Sequence, residues 1–211
     1  MASTKAPDSS RRSERSRRAI LEAALALVGE VGYDKLTVES IASRAGVGKQ
    51  TIYRWWPSKA AVLLDAAGVF AESPPAEDGG AEDGGAVAAV FPDTGDLAAD
   101  LKLVLRATVD EFHDARVEAP MRALTAAGAT DPELGRTFTE RYLAPALGLY
   151  EERLRVARER GEIGEDVDLR VAVEMLVGPL HHRWLHRTGP VTHEFAEALV
   201  NQVLGGIVRG T

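Results

Sequence analysis

Apolar residues recur at three- and four-residue intervals through most of this chain, the period of a helix with one buried face. Ile20, Ala23, Ala24, Leu27, Val28 and Val31 form one stripe, on a helix expected to start at Ser13 and stop at Gly32. Tyr33-Asp34-Lys35 makes the turn. Thr37 is the N-cap of a short helix whose inward positions are Val38, Ile41, Ala42 and Ala45. Gly46 ends that helix as a left-handed turn residue should, and Val47 can plug the gap. Gly48 opens a second short helix over 49–55. Pro57-Ser58 stops it and caps a fourth helix carrying Val62, Leu63, Ala66, Ala67 and Phe70. Helix, glycine-containing tight turn, helix is the sequence form of the helix-turn-helix, which sets its second helix in the DNA major groove.

The pattern breaks at 72–96. That stretch holds Pro-Pro, two Glu-Asp-Gly-Gly units and further acids, the composition of a flexible, solvated acidic linker. It lacks the alternating acids and terminal Glu of a calcium-binding EF-hand loop. Helical spacing then resumes. Asp96 caps a helix with Leu97, Leu101, Val104, Leu105, Thr108, Val109 and Phe112 inward; a shorter one spans 118–127. Asp131-Pro132 starts a long helix expected to run through Leu134, Leu143, Leu147, Leu154 and Ala157 to Gly161. Asp168 and Thr192 cap the last two. No strand alternation appears, so the fold class is all-α: an N-terminal helix-turn-helix domain plus a larger C-terminal helical domain. The expected divisions are a disordered basic arm at 1–12, the helix-turn-helix domain at 13–60, a connecting helix at 61–71, the linker at 72–96 and the C-terminal domain at 97–211.

The final two helices are apolar on more than one side. Val171, Ala172, Val173, Met175, Leu176, Val177 and Leu180 leave hardly a polar face, and Phe195, Ala196, Leu199, Val200, Val203, Leu204, Ile207 and Val208 make two adjacent stripes. Such helices need two partners, one of which can be a second copy of the chain in an isologous dimer. Leu176, Leu180, Leu199, Val203 and Ile207 are the expected interface residues. A helix central to a single protomer would read the same way.

Charge sharpens this picture. The 211 residues carry a net −7, which argues against a general nucleic-acid coat. Residues 1–60 nevertheless hold eleven basic against six acidic side chains, a net +5, leaving −12 for the remainder. A basic end on an acidic body orients toward phosphate. Arg11, Arg12, Arg15, Arg17 and Arg18 could follow a groove or simply be solvated. The absence of cysteine excludes disulfides and thiolate chemistry. No secretory signal and no membrane-length apolar run is present, so a cytoplasmic location is expected. No catalytic constellation is found, and an enzyme is not expected. His182 and His186 share a helix face but lack the Glu of an H-E-x-x-H site, so neither a metal nor a cofactor is expected.

The run GVGKQTIYRWWPSKAAVL at 46–63, preceded by TVESIASRA, resembles the TetR family of bacterial transcriptional regulators. MLVGPLHHRWL, at 175–185, resembles one C-terminal subgroup. The resemblance implies a three-helix DNA-binding domain, a helical ligand-binding domain and a homodimer joined by the last two helices. Such a dimer binds a near-palindromic operator in double-stranded DNA and is released by a small molecule, here of unknown identity. Tyr53 and Lys59 match phosphate-contacting positions; Thr37 and Thr51 match positions that bond phosphate or base. Lys49 and Gln50 occupy the front of the recognition helix, where ammonium and amide groups reach guanine or adenine edges. Trp55 is placed against the backbone and Trp56 in the core. Gly48 departs from the family's usual hydroxyl cap. Phe112, Met121, Leu124, Phe138, Tyr142, Tyr150, Met175 and Trp184 are the expected lining of an apolar effector pocket, though such residues also make ordinary core. The competing reading is an effector-independent activator or architectural DNA-binding protein.

Overall fold

The computed structural model describes residues 9–71, 91–115 and 117–207, with side chains described from Ser13 through Gly68 and not at Ile207. The expectations placed on 1–8, on 72–90, on Val208 and on the side chains of Arg11, Arg12, Phe70 and Ile207 lie outside the described residues. Every regular element among them is helical: α1 (Ser9–Val31), α2 (Val38–Ala45), α3 (Lys49–Tyr53), α4 (Lys59–Ala71), α5 (Leu97–His113), α6 (Glu118–Gly128), α7 (Pro132–Phe138), α8 (Ala144–Glu159), α9 (Leu169–His186) and α10 (His193–Ile207). Residues 9–12 belong to α1, so the helix begins earlier than Ser13 and part of the expected arm is ordered backbone.

Packing divides the chain into two units. One joins the N-terminal part through Ala71 with Ala119–Gly135; the other joins the chain up to Glu118 with everything from Arg136. Most of α6 and the start of α7 therefore pack with the helix-turn-helix, although sequence reading assigns all of 97–211 to one domain.

In the first unit, Ile20, Leu21, Ala24 and Val28 of α1 are buried with Ile41, Ile52, Trp56, Val62 and Leu63. The turn residue Gly46 has φ 66°, where a β-carbon is costly, and the Val47 N–H reaches the Ala42 carbonyl at 3.0 Å. Arg44 grips Glu30 with two bonds of 3.0 and 2.8 Å, tying α2 to α1.

In the second unit, α5, α8, α9 and α10 share one hydrophobic core, with Leu101, Leu105, Leu154, Val173, Leu176 and Val200 almost wholly enclosed. An ion pair is sealed inside it. Asp100 accepts from Arg153 Nε and Nη2 at 3.0 and 2.8 Å, and from the Thr94 hydroxyl at 2.7 Å. Arg160 grips Asp93 with bonds of 2.7 and 2.8 Å. The segment 91–96 is thus fastened to α5 and α8, whereas the sequence places it in the linker.

The long helix expected from Pro132 to Gly161 is interrupted. Thr139–Leu143 is a π turn, and the Ala144 N–H bonds back to Thr139. Pro145 follows at once. Its ring lacks an N–H and crowds the carbonyl four residues earlier, so the helix widens by one residue just ahead of it.

Candidate nucleic-acid interface

The recognition helix is five residues long and needs a firm base. Ile52 supplies it, fully buried beneath α3. With Ile52 inward, helical geometry turns Lys49, Gln50 and Tyr53 outward; all three are exposed, Tyr53 by 54%. Thr51 and Trp55 are half-buried. Gly48 caps α3 without a side-chain bond, and its φ of −78° does not require glycine.

Several of these groups already have partners. Lys49 pairs with Glu39 at 2.9 Å, and that bond holds its ammonium above the usual lysine range. That contact engages one of its three N–H groups and leaves two for a phosphate or base. Thr37 forms a capping box: its hydroxyl accepts from the Ser40 N–H, and the Ser40 hydroxyl accepts from the Thr37 N–H, both at 3.1 Å. Trp55 lies under the Arg54 guanidinium at 4.9 Å. Trp56 is core, and its indole N–H donates to Asp65 at 2.9 Å.

Lys59 is turned inward. Its ammonium donates to the carbonyls of Tyr33 and Leu36 at 2.7 and 3.0 Å and sits 4.2 Å over the Tyr33 ring. Two of its three N–H groups hold the head together, which leaves one for a phosphate. Sequence spacing gave no sign of this, because the carbonyls lie more than twenty residues away.

The residues expected to line an effector pocket do not form a single set. Phe112 stacks on Trp184 at 4.5 Å and meets His181 edge-on at 5.0 Å. Tyr150 is buried against Phe91 at 4.9 Å, and burial pushes its phenol up to about 12. Phe138 and Tyr142 are neighbours at 5.8 Å across the π turn. Met121 and Leu124 stand on α6, in the other unit. Met175 is 51% exposed. A cleft of about 390 Å³ exists elsewhere in the second unit, lined by Val109, Asp110, His113, Val191, His193 and Glu194. None of the expected pocket residues lines it. His193 meets Asp110 there at 2.7 Å, a pairing eighty-three residues apart and invisible to local pattern.

The expected interface residues also fall differently. Leu176, Leu180 and Val203 are buried in the protomer's own core, and Leu199 is half-buried against it. The first three have no surface left for a partner, Leu199 keeps part of its own, and the Ile207 side chain lies outside the described residues. Outward positions on these helices include Arg170, Val171, Glu174, Met175, Gly178 and His182 on α9, with Ala198, Asn201, Gln202 and Gly205 on α10. A helix apolar on nearly every side gives no periodicity from which to choose. His182 and His186 lie 4.9 Å apart, and among the described residues no group of three metal-ligating side chains is assembled. No described helix is long and apolar enough to cross a membrane.

Comparison with known proteins agrees with this architecture. Residues 20–66 match the family described as bacterial regulatory proteins, tetR family, and residues 91–203 match the tetracyclin repressor-like, C-terminal domain. The HTH-type transcriptional regulator YdeS of Bacillus subtilis is 33% identical over 93% of this chain and 91% of its own. The DNA-binding transcriptional repressor TetR of Mycobacteroides abscessus is 30% identical over 94% of this chain and 96% of its own. Among solved structures, the TetR family transcription regulator SCO0332 is 36% identical with a TM-score of 0.65, covering 92% of this chain and 99% of that one.

Proposed function

This chain belongs to the TetR family of bacterial transcriptional regulators, and from that premise we propose that it is a dimeric repressor that a small molecule releases from a near-palindromic operator. The observation that carries the proposal is α3: a single buried anchor, Ile52, beneath an outward row of Lys49, Gln50 and Tyr53. That row fits a major groove. Gln50 and Lys49 carry donors and an acceptor suited to base edges, and the Tyr53 hydroxyl suits a phosphate oxygen. Thr37, Thr51, Trp55 and the remaining N–H of Lys59 complete the proposed contact set. Two heads related by a two-fold axis would engage successive grooves, and an effector favouring a different head spacing would lower affinity by population shift. The repressor of Mycobacteroides abscessus, similar along its whole length, supports repression over activation.

Selection of bound sequences from random DNA tests this. An inverted repeat is the expected product. Tyr53→Phe should weaken binding to all sequences alike, whereas Gln50→Ala should change which base is preferred at one position in each half-site. Failure to bind any duplex at low ionic strength overturns the proposal.

A further inference from the structure

An exposed ion pair joins the two helices of the helix-turn-helix. Glu39 is the second residue of α2 and Lys49 the first of α3. Lys49 Nζ donates to Glu39 Oε1 at 2.9 Å, and both side chains are more than half exposed. Neither helix depends on the pair for its place. Val38, Ile41 and Ala42 are the buried anchors of α2, and Ile52 is that of α3. The turn between them closes through Gly46 and the bond from the Val47 N–H to the Ala42 carbonyl. The start of α2 has its own capping box in Thr37 and Ser40. An exposed pair of flexible side chains adds little to folding. This one lies on the motif that carries most of the proposed DNA contacts, next in sequence to Gln50 and one helical turn before Tyr53.

The chemistry of such a pair separates bases from phosphates. An ammonium on a four-carbon stem is a compact charge that would grip any phosphate within reach, whatever the sequence. Glu39 offsets that charge locally and itself repels phosphate. Two N–H groups of Lys49 remain to donate. Guanine presents two neutral acceptors, O6 and N7, on its major-groove edge. A neutral pair with two donors therefore gains on meeting guanine and gains little on meeting the backbone. The carboxylate also restricts where the ammonium can go, so the donors are presented from one place.

We propose that Glu39 is a specificity-determining residue for operator recognition, restraining Lys49 so that it reads a guanine in each half-site and does not bind phosphate indiscriminately. The inference rests on the DNA-binding reading above. Glu39 acts through Lys49, as a positioning residue.

Three variants of the full chain test this: Glu39→Gln, which removes the charge and keeps the shape, Lys49→Met, and the two combined. Each is measured on the selected inverted repeat and on an unrelated duplex of the same length, across a range of salt. Glu39→Gln should tighten binding to the unrelated duplex about fivefold and steepen its salt dependence by about one phosphate per protomer. Its preference for the inverted repeat over the unrelated duplex should fall about fivefold. In the Lys49→Met background, adding Glu39→Gln should leave that preference unchanged, because no ammonium remains to be released. Selection from random DNA with Glu39→Gln should return a weaker guanine at one position of each half-site. An unchanged preference in Glu39→Gln, or an equal fall in the Lys49→Met background, overturns the proposal while leaving the repressor reading intact. A fall in preference that comes with a lowered melting temperature assigns the pair to folding and overturns it too. A wild-type chain that binds no duplex overturns both readings.

Discussion

At the scale of single residues, burial and partner choice decide what a side chain does. Lys59 and Lys49 show the two outcomes. Both are cations in a DNA-binding motif, yet one ties backbone carbonyls inside the head and the other sits exposed on Glu39. Local sequence identifies the motif without distinguishing them, since the difference lies in carbonyls and a carboxylate brought by the fold. The Asp100–Arg153 pair is illegible for the same reason, its members being separated by 53 positions. His181 gives a prediction at this scale. It is half-buried beside Phe112, its Nδ1–H donates to the Val177 carbonyl at 3.0 Å, and desolvation pushes its imidazole below the ordinary value. The unfolded chain therefore takes up a proton at higher pH than the native one, so stability present above about pH 6.5 is lost as pH falls through that value. Urea midpoints measured at pH 7.5 and 5.5 should drop further for the wild type than for His181→Gln. Equal drops would remove His181 from the account.

At the scale of elements, most boundaries are legible because local chemistry writes them. Thr37, Asp96, Asp131 and Asp168 each accept from the amide three residues on, as their positions before apolar stripes predict. Gly46 adopts the left-handed turn expected of it. The π turn escapes because periodicity reads through Pro145 without registering its missing N–H. Two glycines test how far elements differ. Gly135→Ala forces a methyl against the fixed Gly128 carbonyl and should cost about 2 kcal/mol in chemical denaturation. Gly148 lies within α8 on an open face with nothing near its missing β-carbon, and Gly148→Ala should stabilise by about 0.5–1 kcal/mol. A neutral result at Gly135 would mean that the α6–α7 corner yields.

At the scale of the whole molecule, sequence reading finds the all-helical class and the DNA-binding end but misassigns which apolar faces are left over. α9 is apolar nearly all round, so its inward and outward rows look alike until α5, α8 and α10 take their places against it. Val171 and Met175 remain, about half exposed, as the apolar part of its outward row. In the proposed dimer that row faces the second copy. Met175→Glu should then shift sedimentation from dimer to protomer with an unchanged helical spectrum; a dimer that persists would place the seam elsewhere. Leu176, one step along the same helix, has the opposite standing. A charge introduced there would be trapped among Leu101, Leu154 and their neighbours, and the chain would melt before it could separate. Anyone wanting a soluble single-copy reagent from this regulator must therefore engineer the odd neighbour and spare the leucine beside it.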